Sequence, residues 1–226
     1  MSLVWSREPY SPKRRAISVQ SLVAAGIAIA DAEGLEALSM RRVAAELGSG
    51  TTSVYRHVKN RDELLDLMVD AVKGEDPQRP PSGDWRADLT QIAHGQRALM
   101  LRHTWLATLL GSRPALGPHS LRHTDYALAA AESLTADPTR AANVIALIGD
   151  YVLGAVSREL AELETQRRTG QNEDEWRASV APYIREVVES GAYPHFARGV
   201  VEARDQSFTE QFTFGLERIL DGVSAD

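Results

Sequence analysis

Residues 38–61 read LSMRRVAAELGSGTTSVYRHVKNR, and the punctuation of this stretch decides the fold. Ser39 stands where a hydroxyl can accept a free amide of a first helical turn. Leu38 and Val43 flank it at the spacing of a hydrophobic staple. Val43, Ala44 and Leu47 share one apolar face, and Gly48 follows where a helix ends in a positive φ that costs glycine nothing. A second short pattern carries Thr51, Thr52, Ser53, Tyr55, Arg56 and His57, with Val54 and Val58 as its inward pair at i and i+4. A helix, a glycine turn and a helix with a polar, aromatic outer side form a helix-turn-helix. The second helix of such a unit enters the major groove and sets its N-terminal residues against base edges.

The flanks extend the pattern. Ser18 caps a helix running to about Ala32, with Ile17 and Leu22 as its staple and Gly34 as its end. Leu22, Val23, Ile27, Ile29 and Ala30 give that helix an apolar surface on which the helix-turn-helix can rest. Asn60 is the next N-cap, with Glu63 three residues on in an approximate capping box. It opens a helix over 61–73 carrying Leu64, Leu65, Met68, Val69 and Val72. The run KGEDPQRPPSG at 73–83 has proline, glycine and charge without periodicity, which marks a boundary. Lys13, Arg14 and Arg15 form a basic cluster that fits a phosphate or minor-groove contact and equally a solvated tail.

The run LSMRRVAAELG followed by TTSVYRHVKNRDELLDLM resembles the DNA-binding domain of the tetracycline-repressor (TetR) family of bacterial regulators, over residues 17–72. The Tyr-x-His pair with a following charged residue and leucine pair is its most specific part. The resemblance implies that Arg41 reaches a base, a task its fork suits through guanine O6 and N7. A plain surface arginine is the alternative. Arg42 is expected on phosphate, and Thr51, Thr52 and Ser53 at the start of the recognition helix. Tyr55 and His57 match positions that touch the DNA backbone, although Tyr55 also fits packing against the first helix. Lys59 and Arg61 flank the Asn60 cap and are expected to grip phosphates. Gly50 stands where family members often carry a serine or threonine cap, so the start of the recognition helix is not fixed.

The chain of 226 residues is longer than one small domain needs, and its 43% apolar and 25% charged residues are ordinary for a soluble globular protein. The absence of cysteine removes disulfides and thiolate metal sites and fits a reducing cytosol. No apolar run reaches the length of a membrane span, and the N-terminus lacks the apolar core of a signal peptide. The net charge of −6 hides an asymmetry. Residues 1–61 hold nine Lys and Arg against five Asp and Glu (+4), and residues 62–226 hold sixteen against twenty-six (−10). The basic charge is concentrated where DNA is expected, and the acidic remainder would be repelled by it.

From Asp84 onward every periodic segment reads at 3.6 residues. Asp84 caps a helix with Trp85, Leu89, Ile92, Leu99 and Met100, and Asp137-Pro138 opens the most apolar helix of the chain. This half resembles the tetracycline-repressor-like effector and dimerisation domains in GDWRADL and FTFGLERILDG. The resemblance implies a four-helix interface between two subunits, made here by 138–167 and 208–222, with Gly149, Gly154 and Gly215 permitting close approach. Asn143, Leu147, Asp150 and Tyr151 recur on a second face of the long helix, and they either bond to the core or line a ligand pocket. His94, Arg97, His103 and Trp105 lie in segments that would face the same site. His119 and His123 stand at i, i+4, a spacing open to one metal, yet without a carboxylate motif they read as a solvated helix start.

The expected protein is therefore all-α. A flexible arm (1–16) precedes a three-helix helix-turn-helix DNA-binding domain (17–60) and a larger helical ligand-binding and dimerisation domain (61–226), with the helix at 61–73 connecting them. The expected partners are a double-stranded DNA operator, a small-molecule effector and a second copy of the chain. No cofactor, metal, membrane or catalytic activity is expected, and the location is cytoplasmic. The competing readings are a helical enzyme and a protein-interaction module whose head no longer binds DNA. No nucleophile–base pairing or phosphate loop favours the first, and only the missing cap at Gly50 hints at the second.

Overall fold

A computed structural model describes residues 17–76, 80–110 and 115–224, and among these every regular element is helical. The order is α1 (Val19–Glu33), a single 3-10 turn (Leu35–Ala37), α2 (Met40–Glu46), α3 (Thr51–Val54), α4 (Arg61–Lys73), α5 (Trp85–Arg102), α6 (Leu106–Leu110), α7 (Pro118–Glu132), α8 (Pro138–Thr169), α9 (Glu173–Glu189), α10 (Pro194–Glu202) and α11 (Phe208–Ser224). The basic cluster at 13–15 lies outside the described residues. The chain forms two compact units divided between Leu153 and Gly154, with α8 running through both.

The caps sit where local chemistry puts them. Ser18 and Ser21 exchange side-chain and backbone bonds across the first turn of α1. Ser39 accepts from the Arg42 amide at 3.1 Å, and Asn60 from the Glu63 amide at 2.8 Å. The Glu63 carboxylate reaches back to the amide of Lys59, one residue before the cap, at 2.6 Å. Gly48 closes α2 with φ +61°. Gly50 starts α3 without a side-chain cap, and α3 is a single turn of four residues. The chain then continues as a turn, in which the His57 and Val58 amides both donate to the Val54 carbonyl.

The first unit is built around α4, which packs against α1 on one side and α7 on the other. Leu64, Met68 and Val72 are fully enclosed in it. Gly26 of α1 lies so close to α4 that a Cβ there would stand 2.8 Å from Met68 Sδ. Leu22, Ile29, Val43, Val54 and Val58 complete the core of the helix-turn-helix. Burial of such side chains contributes about 1.5–3 kcal/mol each. In the second unit Val156 of α8 and Phe212, Leu216 and Leu220 of α11 are buried, whereas α9 and α10 bury no residue.

Candidate functional site

On the helix-turn-helix, Arg41 of α2, Thr52 of α3, and Tyr55, Arg56 and Lys59 of the turn that follows stand open to solvent. Tyr55 is 52% exposed, which decides against packing as its main role. Thr51, Ser53 and His57 are half-buried beside them. Arg56, absent from the expected contact set, belongs with the exposed residues; its place between Tyr55 and His57 was the available signal.

Two of the arginines expected on phosphate are committed inside the protein. The Arg42 guanidinium bonds Glu33 and Glu46, both at 2.7 Å, and these carboxylates hold its pKa above the ordinary value. Arg61 turns its fork inward. Its Nε donates to the Leu38 carbonyl at 3.0 Å and its Nη2 to the Leu35 carbonyl at 2.8 Å. The Leu35 carbonyl also accepts the Leu38 amide at 3.1 Å, and the planar guanidinium joins it to the Leu38 carbonyl.

Within the first unit a cavity of about 570 Å³ opens beyond the other end of α4. Lys73 and Asp76 form its near end, and Gln96, Leu99 and Met100 of α5 with Leu106 and Leu110 of α6 form one wall. His123, Thr124 and Leu128 of α7 form another. The remaining wall is α8, through Ala142, Ile145, Ala146, Gly149, Asp150 and Leu153. These positions recur at spacings of three and four, so one helix face supplies them, and its small residues leave the space open. The volume lies within the range of sites for drug-sized molecules, ~300–1,000 Å³.

Of the eight residues expected to line a ligand site, Asp150 lines this cavity; His94, Arg97, His103, Trp105, Asn143, Leu147 and Tyr151 do not. The reason on α8 is helical phase. Asn143, Leu147 and Tyr151 lie one residue, about 100° of rotation, past the lining positions Ala142, Ala146 and Asp150. Asn143 and Leu147 are exposed on that strip. His94 and Arg97 sit half-buried on α5; burial, and then the Arg97 charge, holds the His94 pKa below its ordinary value.

His103 and Trp105 serve a different purpose. Trp105 Nε1 donates to Asp31 Oδ1 at 2.7 Å, and His103 Nδ1 lies 2.9 Å from the same atom. His103 Nε2 lies 3.1 Å from Glu75 Oε2, which also takes Arg102 at 2.8 Å. His103 is 5% exposed. Its ring thus lies between the Asp31 and Glu75 carboxylates. The cluster ties the end of α1 to the end of α5, next to the cavity wall.

A second fastening joins α4 to α7. The buried Asp70 carboxylate accepts the Ser120 amide at 2.8 Å, serving the free first turn of α7. His123 Nε2 donates to the Lys73 carbonyl at 2.7 Å, and burial pushes the pKa of this ring down. His119 lies over Gly74, where a Cβ would meet its ring at 2.9 Å. The expected solvated helix start is therefore a docked one, because the histidines cap and cover the end of α4. Among the described residues no group of three or more His, Cys, Asp or Glu could hold a metal ion.

Comparison with known proteins follows this geometry. The profile described as "Bacterial regulatory proteins, tetR family" matches residues 22–68, and "Tetracyclin repressor-like, C-terminal domain" matches residues 76–226. The chain is 41% identical to the HTH-type transcriptional repressor DrrR1 of Streptomyces coeruleorubidus, over 99% of this chain and 84% of that protein. It is 33% identical to an HTH-type transcriptional regulator of Saccharopolyspora erythraea, over 98% of this chain and 91% of that protein. Among solved structures, the TetR family protein ActR of Streptomyces coelicolor in complex with actinorhodin superimposes with a TM-score of 0.78 at 29% identity, covering 93% of this chain and 97% of ActR. ActR in complex with (S)-DNPA gives 0.76 at 28% identity, covering 92% of this chain and 98% of ActR. The chain belongs to the tetR family of bacterial regulatory proteins and is a ligand-responsive, DNA-binding transcriptional regulator.

Proposed function

We propose that this regulator is a repressor released from a palindromic operator when a small organic molecule occupies the cavity between α5, α6, α7 and α8. The carrying observation is the placement of α4. Its last residue, Lys73, lines the cavity, and its first, Arg61, holds the carbonyls before α2. A ligand that prefers one position of α4 shifts the head by its differential affinity for the two states. ActR, solved with actinorhodin and with (S)-DNPA, is a relative that takes small molecules.

The DNA contacts fall to Arg41, Thr51, Thr52, Ser53, Tyr55, Arg56, His57 and Lys59. Arg41 reads a base and Lys59 grips a phosphate, while Arg42 and Arg61 brace the head. The functional division is a head at 17–60 and an effector and dimerisation domain at 61–226, with α4 as the connection. Two heads of a homodimer meet half-sites about one helical turn, roughly 34 Å, apart. The exposed Phe214 on α11, and Gly154 on α8, where an added Cβ would point into open space among the described residues, suit a partner helix. The same reading makes the chain a binding protein and not an enzyme, acting in the cytoplasm; among the described residues no helix is long and apolar enough to cross a membrane. Turnover of a bound ligand would overturn it.

The test is a fluorescence-anisotropy titration of the full chain against DNA flanking its own gene, at several salt concentrations. Nanomolar, sequence-selective binding with a steep salt slope is the expected result. Affinity no better than for random DNA, with or without added effector, would refute operator recognition.

A further inference from the structure

Lys73 is the cation of the cavity, and it is poorly solvated. Burial lowers its pKa from the ordinary 10.5, with the Asp70 charge opposing the shift. Asp70 is committed to the Ser120 amide. Among the described residues no hydrogen bond or ion pair holds the Lys73 ammonium. A desolvated ammonium that only the Asp70 charge offsets, with no direct bond, is costly, and an ionised acceptor brought into contact with it recovers part of the lost interaction.

The two carboxylates of the cavity compete poorly for that role or for a ligand cation. Asp76 is folded onto α5, where a Cβ on Gly95 would lie 2.9 Å from its Oδ2, and it is engaged by other groups. Asp150 belongs to an exposed part of α8, where water already solvates it. The lining that includes Lys73 is largely aliphatic, through Leu99, Leu106, Ile145 and Leu153 among others, with Gln96 and Thr124 as neutral polar groups. We propose that the effector is an amphipathic organic acid, its apolar body against these walls and one ionised carboxyl, sulfonate or acidic hydroxyl on the Lys73 ammonium. This inference rests on the cavity being the effector site, as proposed above.

Two matched fluorescent probes test it. 1-Anilinonaphthalene-8-sulfonate and N-phenyl-1-naphthylamine share one ring body and differ by the sulfonate. The full-length protein should bind the sulfonate probe roughly tenfold or more tightly than the neutral one. Lys73→Met should erase that preference while leaving the neutral probe within about twofold, and Lys73→Arg should keep it. Ala146→Trp, which fills the cavity from α8, should weaken both probes. Equal binding of the two probes, or an undiminished preference in Lys73→Met, with both still lost in Ala146→Trp, would overturn the acid assignment and leave the cavity as the binding site. Both probes surviving Ala146→Trp would instead refute the cavity reading, and the acid assignment with it.

Discussion

Arg61 offers the sharpest test of how the head is held. A phosphate contact and an internal brace predict different outcomes for the same substitution. Arg61→Met removes two charge-assisted bonds, to the Leu38 carbonyl at 3.0 Å and the Leu35 carbonyl at 2.8 Å. Bonds of this kind contribute ~1.5–3 kcal/mol each when buried. The Arg61 side chain is only half-buried, so together they are worth about 2–3 kcal/mol, water taking over part of the lost pairing. For a chain of this size each kcal/mol moves the melting temperature by ~2–4 °C, so a drop of roughly 4–12 °C is expected. Arg61→Lys keeps the charge and loses the fork, and it should recover less than half of the drop. Thermal unfolding followed by circular dichroism reads both variants, beside an operator titration at several salt concentrations. A brace predicts a lower melting temperature with an unchanged salt slope. A wild-type melting temperature in Arg61→Met, with the salt slope reduced by about 0.9, would show that Arg61 sits on a phosphate and would refute the reasoning.

Three further outcomes follow from the geometry. Arg41→Ala should cost about 1–3 kcal/mol of operator binding and relax preference at one base position, whereas Lys59→Ala should weaken all sequences alike, as an operator-variant panel would read. Gly48→Ala places a Cβ on a residue with φ +61°, and equilibrium unfolding should show a loss of about 1–2 kcal/mol. His123 has its pKa held below the ordinary 6.5 by burial, so the unfolded chain binds its proton more readily than the folded one. The stability it leaves intact above pH 6.5 is lost as the pH falls through the folded value. His123→Gln, which can still donate to the Lys73 carbonyl, should flatten the fall in stability below pH 6.5 in chemical denaturation.

What could be read from the sequence was what local chemistry decides. Ser18, Ser39, Asn60 and Asp84 start helices as their side chains dictate, because each capping bond spans only two or three residues, and Gly48 ends one at a positive φ. The weak start at Gly50 was also visible, and α3 is correspondingly a single turn. The internal roles of Arg42 and Arg61 were not visible. Arg42 pairs with Glu33, nine residues back, and Arg61 with carbonyls 23 and 26 residues back, so only the fold brings them together. The cavity failed to show for a related reason. On α8 two mixed faces lie one residue apart, and both satisfy a helical period. Polar Asn143 and Tyr151 drew attention to the neighbouring face, and Gly149 read only as permitting close approach, whereas with Ala142 and Ala146 its small size leaves room in the cavity wall. Likewise His103 and Trp105 read as ligand groups because nothing in the sequence announces that Asp31, more than seventy residues earlier, meets them.

These long-range contacts link the cavity walls to the helices of the head. The end of α5 supplies Leu99 and Met100 to the cavity wall and, a turn later, His103 and Trp105 to Asp31 at the end of α1. The end of α4 supplies Lys73 to the cavity and, through Asp70 and the Lys73 carbonyl, is fastened to α7. A molecule that moves α5 against α4 must therefore either carry the end of α1 along or stretch a 2.7 Å bond from Trp105. His103 and Asp70 are buried, so losing their partners is costly, although Asp31 and Glu75 remain exposed to water. Under the proposed function, a ligand that favours one arrangement of this junction would pass its differential affinity on to the spacing of two DNA-binding heads.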